Sequence, residues 1–240
     1  MMKTRLARFS GVASALDELP LPAREREFSS SRPIWGDSEA ADSLFVMERG
    51  HAFAFTIFPN GRRHISDFFG PGSICNWTRL RSSAVKMNIM FRPGSAVSIL
   101  KRSEVVEALD NSRILESAIN RHEMARTLRT SQRTRALIAM NGSDRFMTLL
   151  LDFHSELRAA GLAEDVIELP FSQAEIADII GQTNVHVSRL LKALEQDSRI
   201  ERLDGARFRI KDMDRELERL DYRDPFLKMR REAQAQESAN

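Results

Sequence analysis

The sequence predicts an α+β protein with two folded regions, and three patterns carry that prediction. Between about residues 43 and 101, apolar positions alternate with smaller or polar ones in short runs broken by Gly/Pro turns. From 112 to 140 the period becomes helical and stays so. Residues 172–210 then read as helix, tight turn, helix and hairpin. At 240 residues the chain is long enough for two cores. Its 42% hydrophobic and 29% charged residues are ordinary for a globular protein.

Residues 1–30 lack sustained periodicity, and Leu19-Pro20-Leu21-Pro22 followed by RERE reads as an extension or linker. The first fifteen residues, MMKTRLARFSGVASA, are basic and end in an A-x-A-like triplet. Their centre is too polar for the apolar region of a signal peptide. No run approaches the roughly 20 apolar residues that span a membrane, so the expected compartment is the cytoplasm. Cys75 is the only cysteine. That excludes an internal disulfide framework, a thiolate-only zinc site and a four-cysteine iron–sulfur cluster.

Residues 31–110 are expected to form an antiparallel barrel or sandwich. Phe53, Phe55 and Ile57 alternate before a turn at Pro59-Asn60-Gly61. Ile65, Phe68 and Phe69 lead into Gly70-Pro71-Gly72. Val85, Met87, Ile89 and Phe91 alternate again, Pro93-Gly94 turns, and Val97, Ile99 and Leu100 follow.

Ser103–Leu109 is a short predicted helix, and residues 111–140 a long one of roughly 40 Å at about 1.5 Å per residue. Ile114, Ala118, Ala125 and Leu128 lie on a seam suited to a parallel helix pair, in phase with Arg121, Gln132 and Arg135. The other reading has this helix packing only on its own sheets. Asn141-Gly142-Ser143 is the expected hinge. Residues 144–227 form the second region, beginning with a helix that presents Phe146, Leu149, Leu150, Phe153 and Leu157, then a strand at Glu168–Phe171. From 228 to 240 the chain is polar and expected to be disordered.

Ser172 and Glu175 make a capping box. Ile176, Ile179 and Ile180 recur at helical spacing, and Gly181 ends the run. Ala177 is small enough for two helices to cross closely. Thr183 caps a second helix with Val187, Leu190, Leu191 and Leu194 on its apolar face. This is the pattern of a DNA-binding helix-turn-helix. Ile200–Leu203, a turn at Asp204-Gly205 and Arg207–Ile210 make a wing. Net charge is only +2, yet Arg189, Lys192, Arg199, Arg202, Arg207, Arg209 and Lys211 cluster here against Glu195, Asp197, Glu201 and Asp204. Phosphates require such a local surface. No phosphate loop, GxSxG, HExxH or paired carboxylate signature points to an enzyme. A helix-turn-helix used for protein contact is the alternative.

SQAEIADIIGQTNVHVSRLLKAL with its wing, NGRRHISDFFGPGS and the order of parts resemble the Crp/Fnr family of bacterial homodimeric transcription factors over residues 40–220. The resemblance implies a cyclic-nucleotide-binding-like jelly-roll sensor, a dimerisation helix and a winged helix on one half of a palindrome in double-stranded DNA. It also implies contact with RNA polymerase if the protein activates. Within it, Arg189 matches the arginine that reads guanine, and Ser188 the serine preceding it in the fumarate-nitrate branch. Val185 stands where the family places glutamate, and packs on a thymine methyl rather than accepting from cytosine. Asn184 reads adenine or helps to cap. Gln182 and Thr183 fall to phosphates and His186 to a phosphate or the plain helix surface, with Lys192 on the same exposed side and Arg207 in the wing.

The sensor departs from the family. In PGSICNWTRLRSSAV, Cys75-Asn76 stands where cyclic-nucleotide binders carry Gly-Glu, with Arg81 at the phosphate-holding arginine. Cyclic AMP is therefore not expected. His51, His64, Cys75 and nearby methionines leave haem open, and a protein with no effector is the other reading. Cys75 is either a redox-sensing thiol or a buried cysteine.

Overall fold

The computed structural model describes residues 2, 5, 19–20, 22, 24–35, 42–80 and 87–227. Arg81, Val85 and the polar 228–240 tail lie outside the described residues. Seven strands open the fold: β1 (Arg24–Phe28), β2 (Arg32–Ile34), β3 (Ser43–Arg49), β4 (Ala52–Ile57), β5 (Arg63–Phe69), β6 (Asn88–Phe91) and β7 (Ser95–Lys101). They form two antiparallel sheets, ordered β1-β7-β3 and β2-β6-β4-β5. Phe28, Phe45, Met47, Val97 and Ile99 of the first meet Ala52, Ala54, Phe69, Ile89 and Phe91 of the second in one core. Phe28 stacks on Phe91 with ring centroids 4.5 Å apart. The sheets thus close face to face as a jelly-roll-like sandwich.

The RERE segment is a strand and not a linker. Arg24, Glu25 and Glu27 are exposed while Phe28 is buried, which suits a charged strand at a sheet edge. The alternation expected through Ile57 also fails. Phe53 and Phe55 are buried on one face of β4, Ala52 and Ala54 on the other, and Ile57 is exposed. Both faces of this strand are covered: Ala52 and Ala54 by the sandwich, Phe53 and Phe55 by the C-terminal region.

Two helices follow, α1 (Arg102–Asn111) and α2 (Arg113–Ala139). Ser112 caps α2 by accepting from the Leu115 N–H. Asn141 then caps α3 (Gly142–Ala160) through the Asp144 N–H, so the helical run breaks only at Met140-Asn141. Next come β8 (Val166–Glu168), α4 (Gln173–Ile180), α5 (Asn184–Gln196), β9 (Ile200–Arg202), β10 (Arg207–Ile210) and α6 (Met213–Arg219). The β8-β10-β9 sheet includes the wing. The strand before α4 ends at Glu168, because Leu169 and Phe171 turn into the core.

The seam expected on α2 is split. Ala118 and Ala125 are buried within this chain, whereas Ile114, Met124, Leu128 and Ile138 are exposed, Ile138 at 80%. The inward face carries His122, Arg126, Arg129 and Arg133, all buried.

Candidate nucleic-acid interface

The helix-turn-helix forms as its local chemistry dictates. Ser172 accepts from the Glu175 N–H while Glu175 accepts from the Ser172 N–H, completing the capping box. Gly181 adopts φ 65°, ψ 40°, the left-handed conformation that ends α4 with little penalty only for glycine. Thr183 caps α5 through the His186 N–H at 3.3 Å. Val187, Leu190, Leu191 and Leu194 are buried against the region's core. Burial of each such side chain contributes about 1.5–3 kcal/mol, enough to define which face of α5 remains outside.

That outer face carries Asn184, Val185, His186, Arg189 and Lys192, all exposed, Val185 at 64%. Arg189 and Lys192 make no ion pair with any described residue. Because Thr183 supplies the cap, the Asn184 side chain is left to face outward. Ser188 is half-buried and bonds Gln173 and the Asn184 carbonyl at 3.4 Å each. His186 lies over the start of α3, where a Cβ on Gly142 would come within 3.2 Å of its Nε2. Gln182 is half-buried and lines a cleft of about 520 Å³ with Arg62, Arg63 and His64 of the β4–β5 hairpin.

The wing is more neutral than its composition. Arg207 pairs with Asp204 at 2.9 Å, and Arg209 and Lys211 both pair with Glu201. Arg199 turns away from the basic surface, half-buried between Asp144 and Glu216. Of the basic cluster, Arg189 and Lys192 on α5 and Arg202 on β9 are therefore the exposed charges with no ion pair among the described residues.

The helix-turn-helix region sits directly on the N-terminal sheets. Phe53 and Phe68 meet Phe153 and Phe171 in a shared aromatic cluster. Arg92 bonds Glu175 of the capping box at 3.0 Å. Deeper in, Glu156 of α3 accepts from the Gly70 N–H at 2.8 Å, the Ser73 hydroxyl at 2.7 Å and the guanidiniums of Arg5 and Arg129. Burial alone would raise the Glu156 carboxyl, but Arg5 and Arg129 hold it well below the usual carboxylate range. Asp67 is largely buried, its side chain 14% exposed, and Arg126, Arg129 and Arg133 hold it at about 2. Arg133 also bonds Asp152 at 2.9 Å, and the Tyr222 hydroxyl donates to Asp152. Sequence reasoning missed this cluster. Its one local sign is the spacing of His122, Arg126, Arg129 and Arg133 on a single helical face.

The other sensor candidates do not converge. His51 lines a cleft with Phe153 and Leu157, His64 lines the hairpin cleft, and Cys75 lies in the sandwich core. Burial pushes the Cys75 thiol up, against thiolate formation. Asn76 spends its amide on β3, accepting from the Phe45 N–H and donating to the Ser43 carbonyl. No helix among the described residues is long and apolar enough to cross a membrane.

Residues 144–220 match the model of the Crp-like helix-turn-helix domain. The nitrogen fixation regulation protein FixK of Bradyrhizobium diazoefficiens is 25% identical over 211 residues, covering 82% of this chain and 85% of that protein. The transcriptional activator protein FnrA of Stutzerimonas stutzeri is 22% identical, covering 82% of this chain and 80% of its own. Among solved structures, FixK2 from Bradyrhizobium japonicum superposes with a TM-score of 0.68 at 22% identity, covering 82% of this chain and 97% of that one. A CooA mutant from Carboxydothermus hydrogenoformans gives 0.63 at 17% identity, covering 86% and 90%. The relatives are transcription regulators, not enzymes. Residues 144–220 thus form a Crp-like helix-turn-helix domain, in a chain similar along most of its length to nitrogen fixation and transcription regulators and sharing their fold.

Proposed function

We propose that the chain works in the cytoplasm as a homodimer that reads a palindromic site in double-stranded DNA, each α5 entering one major groove. The observation that carries this is the outward face of α5, where Arg189 and Lys192 are exposed with no ion-pair partner among the described residues. Arg189 is the base-reading group, bidentate to guanine O6 and N7. Val185 packs on a thymine methyl, and Ser188 and Asn184 reach neighbouring base edges. Gln182, Thr183, His186 and Lys192 lie toward phosphates. Arg207 joins them by exchanging Asp204 for a phosphate.

A second copy is the partner that fits α2. The positions Ile114, Ser117, Arg121, Met124, Leu128, Ser131, Arg135 and Ile138 follow strict 3-4 spacing, and their apolar members are exposed. The relatives named activators favour contact with RNA polymerase when this chain activates. No resident cofactor is proposed: Asn76 is committed to β3, which disfavours cyclic AMP, and the separation of His51, His64 and Cys75 disfavours haem.

Fluorescence anisotropy of the protein on a duplex, titrated with salt, tests the reading. Affinity for DNA should fall linearly in log–log form as salt rises, because bound phosphates release counterions. A salt-independent interaction, or none at low salt, would leave the helix-turn-helix as a protein-contact module.

A further inference from the structure

Arg5 is buried, 1% exposed. Its Nη1 and Nη2 each donate to Glu156 at 2.9 Å, Nη1 also to the Pro71 carbonyl at 3.1 Å, and Nε to His122 Nε2 at 2.6 Å. The Phe226 ring covers the guanidinium at 5.0 Å. We propose that Glu156 and the 70–73 turn form a guanidinium-binding site whose resident ligand is the chain's own Arg5. Arg5 thus acts as an internal effector that pins the helix-turn-helix region to the N-terminal sheets.

Three features support a receptor rather than a single ion pair. The acceptors belong to three separate elements: the turn after β5, α2 and α3. They also hold one another without Arg5, since Glu156 keeps the Gly70 N–H, the Ser73 hydroxyl and Arg129. A site so preorganised persists when its ligand leaves. Finally, Arg5 balances the charge. The buried cluster sets Arg5, Arg126, Arg129 and Arg133 against Asp67, Glu123, Asp152 and Glu156, and without Arg5 it carries an uncompensated negative charge. A guanidinium, planar and able to bond a carboxylate in bidentate fashion, is the ligand class that this hole selects. Occupied, it adds Arg5 to the ties that Arg129 and Arg133 already make between α2 and α3. In a dimer that fixes the spacing of the two reading helices and enlarges the DNA-competent population.

The test is chemical rescue of Arg5→Ala in the full chain, with ethylguanidinium as the probe. Arg5→Ala should lower Tm by on the order of 10 °C and weaken specific DNA binding at least tenfold. Millimolar ethylguanidinium should restore both along a saturable curve, and do nothing to Arg5→Ala/Glu156→Gln or to the wild type. Should Arg5→Ala not fold, refolding it with and without ethylguanidinium asks the same question, and recovery only with the ion supports the site. An unchanged Tm and affinity in Arg5→Ala, no recovery with the ion, or equal rescue on the Glu156→Gln background would overturn it. The affinity readout rests on the function proposed above, whereas the Tm readout does not. Saturable Tm rescue in a protein whose wild type ignores DNA would support the site and overturn that function.

Discussion

Arg63 of β5 lies 2.8 Å from Asp178 of α4, so an ion pair ties the β2-β6-β4-β5 sheet to the first helix of the helix-turn-helix. Both side chains are more than a quarter exposed, at 29% and 28%. Arg133 and Asp152 are at similar distance, 2.9 Å, but at 7% and 0% exposure. The two pairs should therefore differ sharply. Asp178→Asn is expected to cost under about 1 kcal/mol. Arg133→Ala, which strands a buried carboxylate, should cost about 3–5 kcal/mol. Urea unfolding of each variant reads the difference.

On the reading face, Arg189→Ala should remove about 1–3 kcal/mol of base discrimination while retaining most of the weak binding to random duplex. Equal loss on specific and random DNA would assign Arg189 to a phosphate. Val185→Glu exchanges a methyl-packing surface for an acceptor, so it should change the preferred base pair at one position of each half-site. Competition among single-base variants of the site measures both.

Acid stability has a defined sign at His51. Burial pushes its imidazole down to about 4 from the ordinary 6.5. Between those values the unfolded chain holds a proton that the folded chain refuses. The stabilisation is thus complete above pH 6.5 and is lost as pH falls toward 4. His122 and His154, also lowered by burial, act in the same sense. His51→Phe should flatten, without abolishing, the decline in Tm between pH 6.5 and 4. Asp67, held at about 2, adds its own loss only below the ordinary 3.8.

For the dimer, Leu128→Asp places a charge in the middle of the exposed α2 stripe. Sedimentation should show monomer where the wild type is dimeric. Specific DNA affinity should fall because the two half-sites are no longer read together.

The helix-turn-helix was legible because its signals are local. A capping box spans four residues, a left-handed glycine declares itself, and Val187 through Leu194 repeat within one helix. Local also were the Gly/Pro turns that mark off the strands. What could not be read was chosen by partners far along the chain. Glu156 meets Gly70 across 86 residues, and Arg5 across 151. Such pairs turn the inner face of α2 from apolar to charged, which is why a seam drawn from apolar residues took Ala118 and Ala125 for the dimer face. The run Ala52–Phe55 did carry a usable sign, since contiguous apolar residues in a strand indicate two covered faces. The charged RERE strand carried none, because an exposed edge strand and a polar linker share a composition.

The central claim is that two copies of α5 read bases in paired major grooves. Selection of bound duplexes from a random-sequence pool by the purified protein tests it most directly. The account predicts an enriched palindrome whose half-site centres lie about one helical turn, 10–10.5 base pairs, apart. It also predicts a guanine in each half-site whose enrichment disappears in Arg189→Ala. A retained pool with no symmetric motif, or one unchanged by Arg189→Ala, would contradict it.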